Sequence, residues 1–172
     1  ELDNLIIGNS GDETIDGREG ADEMWGGRGD DTYYVDDEGD TVNELQGEEV
    51  VVVEWALVDG VFIPGYVIYN GGHDIVHSSV TFSLGDYVDD LILSGTDNID
   101  GTGNYADNLI RGNDGDNRLD GGSAGTDTLQ GGNGADTYIV RSSTVVIIET
   151  GGGDGAIDEV QLHNASFDLG TQ

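Results

Sequence analysis

The sequence predicts an all-β protein wound as a parallel coil, and three observations carry that expectation. Turn glycines recur every nine residues in two separate stretches. The eighth residue of every unit is apolar. The sixth is an acid or an asparagine throughout.

In the first array, Gly8–Asp16 reads GNSGDETID, Gly17–Trp25 reads GREGADEMW and Gly26–Tyr34 reads GGRGDDTYY. Val35–Asn43, VDDEGDTVN, lacks the first glycines but keeps the phase. Position six is Glu13, Asp22, Asp31 and Asp40; position eight is Ile15, Met24, Tyr33 and Val42. One unit earlier, Asn4 and Ile6 hold the same places. The second array reads GNYADNLIR from Gly103, GNDGDNRLD from Gly112, GGSAGTDTLQ from Gly121, one residue over length before its sixth position, and GGNGADTYI from Gly131. Its sixth positions are Asn108, Asn117, Asp127 and Asp136, and its eighth are Ile110, Leu119, Leu129 and Tyr138.

Each unit has a physical logic. Glycine permits the positive φ angles of a tight turn. The last three residues are extended, so position eight points one way and positions seven and nine the other. One unit cannot bury one apolar side chain alone, but stacked units form a thin continuous core. Two units make one coil, with a strand on each side. Turns then stack along each edge, bringing position six of one unit near position six two units on. Carboxylates that close repel unless a cation lies between them. A cage of carboxylate and carbonyl oxygens suits Ca2+ better than Mg2+, which demands strict octahedral geometry.

Composition sets the boundaries. The 172 residues carry 36 acids against 5 bases, a formal charge of -31, and the bases are all arginine (Arg18, Arg28, Arg111, Arg118, Arg141). Such a surface repels nucleic acid and anionic membranes and attracts cations. Glycine-rich acidic chains are often disordered, but a disordered linker has no reason to keep every eighth position apolar. Cysteine is absent, so no disulfide framework holds the fold. No apolar run reaches the ~20 residues of a membrane span. Residue 1 is a glutamate and no signal peptide opens the chain, which is expected of a fragment or a processed product.

The units resemble the RTX (hemolysin-type calcium-binding) nonapeptide GGxGxDxUx, where U is apolar. GGRGDDTYY and GGNGADTYI match it in full, and the others in part. Residues 71–113 are similar to the segment found between repeat blocks in secreted RTX proteins, with Asp89 or Asp90 near its usual glutamate. The resemblance implies a right-handed parallel β-roll with Ca2+ between stacked turns, each full site taking two position-six side chains and carbonyls from positions one to four. Carried over, Glu13 pairs with Asp31, Asp22 with Asp40, Asn108 with Asp127 and Asn117 with Asp136. The accompanying turn residues are Asn9, Gly11, Arg18, Gly20, Gly26, Arg28 and Asp37 in the first array, and Asn104, Asn113, Gly115, Gly131 and Asn133 in the second. Asn108 and Asn117 bring no charge, so their sites are expected to bind more weakly. Glu13 is longer than the expected aspartate, and Val35 replaces a glycine beside the Asp22–Asp40 site.

The expected organisation is a first array over 1–43, a strand-rich connector over 44–102, a second array over 103–140 and capping strands over 141–172, all in one elongated domain. VVVVEWALV (50–58), GYVIY (65–69) and IVHSSVTFSL (75–84) read as strands. In the last of these, Val76, Val80, Phe82 and Leu84 share a face. Residues 47–72 exceed a usual connector and read as an inserted strand or hairpin, carrying either a specific function or only core and capping strands. VVIIE and GDGAIDEVQL are expected to close the stack. NASFDLGTQ shows no identifiable export signal.

Other chemistry is weaker. His73 and His77 on one strand would stand roughly 13 Å apart, too far for one metal. Paired carboxylates are expected by chance at this acid density, and a slim coil lacks the walled cleft of a glycosidase. No nucleophile elbow or phosphate loop is present. Tyr33 and Tyr138 at position eight are expected in the core, whereas Trp25 and Tyr34 at position nine are candidates for an exposed platform. The chain is thus read as a non-catalytic Ca2+ module of a secreted bacterial protein that leaves by type I secretion. The alternatives are a structural or adhesive cell-surface segment, meeting glycans or neighbouring subunits, and an appendage to a polysaccharide-acting enzyme or protease.

Overall fold

The computed structural model describes residues 2–44, 49–58, 61–69, 72–142, 144–149 and 158–163, with the backbone alone described for 49–58 and 61–69. The last nine residues, where an export signal was sought, lie outside the described residues. The chain winds into a parallel β-solenoid of about 6 turns, with no helix among the described residues.

One side of the roll begins with β1 (Leu5–Ile7), β3 (Glu23–Trp25) and β5 (Thr41–Asn43), paired in parallel. The opposite side is a continuous seven-stranded sheet of β2 (Thr14–Asp16), β4 (Thr32–Val35), β8 (Ile75–Ser78), β10 (Asp90–Leu93), β12 (Leu109–Arg111), β14 (Thr128–Gln130) and β16 (Val146–Ile148). The remaining strands, β9 (Phe82–Ser83), β11 (Gly101–Thr102), β13 (Arg118–Asp120), β15 (Thr137–Val140) and β17 (Glu159–Leu162), form a five-stranded parallel sheet. Between β5 and β8, β6 (Glu49–Val58) and β7 (Val61–Tyr69) make an antiparallel hairpin with an irregularity between Val52 and Trp55. The inserted segment is therefore a hairpin, and β8 to β11 belong to the same sheets as the strands of the two arrays.

Position eight builds the core. Ile15, Met24, Tyr33, Val42, Ile110, Leu119, Leu129 and Tyr138 are all buried, and Ile6 packs against them from the first coil. Val76, Phe82, Leu84, Val88, Leu91 and Leu93 carry the same core through the connector.

Residues 75–84 are not one strand. β8 ends at Ser78, whose hydroxyl donates to the Val80 carbonyl (2.7 Å) and accepts from the Val80 N–H (3.2 Å). That local bonding turns the chain, so Val76 and Phe82 enter the core from different sheets.

The hairpin interrupts a single nonapeptide turn. Glu44 stands at position one of that turn, and the last three turn positions resume at Gly72, His73 and Asp74. Gly72 has φ +127°, matching the position-four glycines Gly29 (+108°) and Gly134 (+107°). A Cβ on Gly72 would collide with the Gly29 carbonyl, as one on Gly29 would with that of Gly11. The His73 N–H donates to Asp30 Oδ1 at 2.9 Å, as the Asp30 N–H does to Asp12 Oδ1 at 3.0 Å one coil below. Tyr33 and Val76 then pair as direct neighbours, although 43 residues separate their units where 18 separate the coils before.

Two outcomes follow. Replacing residues 45–71 by Gly-Ser should leave circular dichroism and cooperative unfolding of the calcium-saturated roll intact. Leu119→Ala, at a fully buried position between Gly101 and Tyr138, should cost ~2–5 kcal/mol in denaturant titration under the same conditions.

Candidate metal centre

The edges of the roll are ladders of position-six side chains. Apart from Glu13, each of these carboxylates is held by one oxygen that accepts the backbone N–H of the corresponding residue one coil below. Asp31 Oδ1 takes the Glu13 N–H at 2.7 Å, and Asp74 Oδ1 takes the Asp31 N–H at 2.8 Å. Asp89 Oδ2 takes the Asp74 N–H at 2.8 Å. Further on, Asp127 accepts from Asn108 at 3.1 Å. The other edge repeats this: Asp22 accepts from Asn4 (2.7 Å), Asp40 from Asp22 (2.9 Å), Asp136 from Asn117 (2.9 Å) and Asp158 from Asp136 (3.0 Å). Each of the four side-chain pairs expected from the sequence is joined by such a bond.

What the second oxygen does divides the corners into two kinds. Among the described residues, Asp22 Oδ2, Asp31 Oδ2, Asp74 Oδ2 and Asp136 Oδ2 are buried without a hydrogen-bond partner. A buried charged acceptor left unpaired costs more than ~1–3 kcal/mol, so these atoms mark where a cation fits. The oxygen-only donor set suits a hard ion with six to eight ligands. Burial pushes the Asp31 carboxyl upward. It raises Asp74 to about 8, with Glu44 and Asp31 adding repulsion. It raises Asp127 and Asp136 to about 6.

At the asparagine corners an amide stands where charge would otherwise be needed. Asn108 Nδ2 donates to the carbonyls of Val88 and Asp89, both at 3.0 Å. Asn104 Nδ2 reaches Gly85 and Val88, and Asn113 Nδ2 reaches Ser94 and Asp97. Asn117 Nδ2 donates to the Ile99 carbonyl at 2.7 Å, and Asn113 Oδ1 receives the Gly115 N–H.

The other sequence-selected residues are placed as follows. Glu13 folds back on its own turn, where both oxygens accept from Asn9. Both Asp40 oxygens are used, one by Asp22 and the other by the N–H groups of Asp36 and Asp37. Arg18 (φ +66°) and Gly20 (φ +125°) supply the positive backbone angles of their turn. The Arg28 N–H bonds the Asn9 carbonyl, stacking turn on turn. Asn133 donates to Asp114 on the surface. Gly26 and Gly131 lie under the hydroxyls of Tyr33 and Tyr138, where a Cβ would collide. Trp25 and Tyr34 sit in different sheets on opposite sides of the roll; Trp25 is half-buried, and Tyr34 is exposed and stacks on His77, with centroids 5.3 Å apart. Asp120 is neutralised within the protein. Burial pushes it up, but the two-nitrogen grip of Arg141 (2.7–3.2 Å) outweighs this and holds it below the usual carboxylate range.

Sequence reasoning missed Asp74, Glu44, Glu149 and Asp158. The ligating atoms of Asp31, Glu44 and Asp74 lie within 4.8 Å of one another, as do those of Asp136, Glu149 and Asp158. The signal for Asp74 was present: GHDIVH is the second half of a nonapeptide.

Stacked glycine turns, buried acidic corners and a one-residue-wide core define a calcium-binding β-roll of nonapeptides. The RTX calcium-binding nonapeptide repeat family model matches residues 7–42, 93–123 and 102–138, so the chain carries repeats of that family. It is a calcium-binding repeat module. No curated protein and no solved structure matches it.

The raised carboxyls set a pH dependence. With no cation bound, Asp74, Asp127 and Asp136 hold protons in the folded state that the unfolded chain has already released. Their stabilising contribution is complete below the unfolded carboxyl range and is lost as pH rises through about 6 to 8. Chelated protein should therefore keep more β signal in circular dichroism at pH 5.5 than at pH 8, the folded state losing ~1.4 kcal/mol per pH unit for each net proton. Saturating calcium should reverse the trend, because the ligand is the deprotonated form.

Proposed function

We propose that the chain is the calcium-responsive module of a secreted RTX-type bacterial protein, folding when it meets millimolar Ca2+ outside the cell. The observation that carries this is the set of four buried, unpartnered carboxylate oxygens at stacked corners, in a chain of charge -31. Ions that bind only the folded state stabilise it by mass action. At a Kd near 10⁻⁴ M, millimolar calcium contributes roughly 1.4 kcal/mol per site. Several such sites decide whether so thin a core holds together.

In this reading the ions occupy the corners with unpaired aspartate oxygens. The Asn104, Asn108, Asn113 and Asn117 amides bridge stacked turns where no ion is needed. Where free calcium is low, the chain remains loose and fit for export by a type I apparatus. It does no chemistry itself. Its role is to fold, stiffen and present whatever the parent protein carries, whether a catalytic domain or an adhesive surface. The acidic exterior favours cations over nucleic acid, and no helix among the described residues is long and apolar enough to cross a membrane.

Circular dichroism during a calcium titration tests this. The chelated chain should lack a strong β signal at neutral pH and low ionic strength. Millimolar Ca2+ should restore it cooperatively, and Mg2+ at equal concentration should not. A full β signal in excess chelator would sink the proposal.

A further inference from the structure

Two corners depart from the repeat in the same ways. Each opens with a glutamate, Glu44 or Glu149, where the repeat has glycine. Each stacks on a unit whose position eight is tyrosine, Tyr33 or Tyr138. The Tyr33 hydroxyl donates to Glu44 Oε1 and the Tyr138 hydroxyl to Glu149 Oε2, 11 residues on in both cases. Each corner is also lengthened, running through residues 44–74 in one case and 149–158 in the other. Each gathers three carboxylates with ligating atoms inside 4.8 Å.

The coincidence has a physical reason. A six-residue turn stacks its carbonyls on the turn below and offers them to a bridging ion. A corner with more residues between its strands than the repeat allows departs from that regular spacing of carbonyl oxygens. A carboxylate at position one supplies oxygens in their place. The tyrosine hydroxyl fixes that carboxylate from one side, and at Glu44 the Gly27 N–H (3.3 Å) holds the other oxygen. A second observation points to a ligand: Asp31, Asp74 and Asp136 are at most 1 % exposed, and each turns one unpartnered oxygen inward. Affinity in oxygen cages is tuned by the number of charged ligands.

We propose that Glu44 and Glu149 are direct ligands of two divalent-cation sites, Asp31–Glu44–Asp74 and Asp136–Glu149–Asp158, that bind more tightly than the two-side-chain corners. Tyr33 and Tyr138 are positioning residues that orient the glutamates. The sites lie on opposite edges of the roll, at the hairpin and at the final coil. This rests on the calcium reading above.

The test uses the full chain with Ca2+ in calorimetry and Tb3+ in luminescence. Calorimetry should resolve two tight equivalents ahead of the rest. Tb3+ filling those equivalents should emit when tyrosine is excited. Glu→Gln keeps a hydrogen-bond acceptor for the tyrosine but removes the charge. Glu44→Gln and Glu149→Gln should each abolish one tight equivalent, weakening it at least tenfold, while the weaker class is unchanged. Tyr33→Phe with Tyr138→Phe should lower the early sensitised emission and weaken the same two equivalents less than the glutamine variants do. Should the double glutamine variant fail to fold at saturating calcium, the single variants decide, since each keeps one tight site. Two tight equivalents persisting in both single variants would overturn the proposal. A parent chain that binds no calcium would overturn the wider reading first, and the two failures are distinguishable.

Discussion

The structure depends on one arrangement, a carboxylate tied by one oxygen to the backbone of the coil below and left with the other oxygen facing inward. The N–H bond places the acid, since it recurs from Asp22 to Asp158. The inward oxygen creates a debt of charge that hydrogen bonds among the described residues do not settle at Asp22, Asp31, Asp74 and Asp136. A core only one side chain wide offers little hydrophobic surplus against that cost. In the function proposed above, the fold and the ion are therefore one equilibrium rather than a scaffold and its ligand.

The corners are not all alike, and the difference lies in whether position six brings a charge or a donor. Asn108 and Asn117 present N–H groups to carbonyls of earlier turns. An amide bridges those carbonyls with partial positive charge and no desolvated ion. The stretch from β10 to β13 thus carries fewer demands for external charge than the acidic first array. Asp120, gripped by Arg141, resolves the same problem by a third means.

Much of this was legible in the sequence. The nine-residue phase fixed which side chains would be buried, because a period of nine with three extended residues admits only one inward position. It also placed Asp31 and Asp136 at corners. The parts that escaped share a cause: they lie where the period is broken. Residues 75–84 read as one strand because alternation is the same on both sides of a corner, and only the Ser78 hydroxyl betrays the bend. Asp74 was hidden because its unit is split by the hairpin, so the phase had to be carried across 43 residues. Glu44 falls just past the last unit of the first array, and Glu149 reads as the end of the VVIIE strand, so neither stands in a recognisable repeat.

The split turn has a wider consequence. A screw whose thread can be cut at one point, fitted with a long flap and resumed without a change of pitch is a graft port. Glu44, Gly72, His73 and Asp74 hold the thread, so exchanging what lies between them is expected to leave the winding in register. Diversity can therefore accumulate sideways from the roll, in cargo hung at its corners, while the winding itself stays under the strict rule of the repeat.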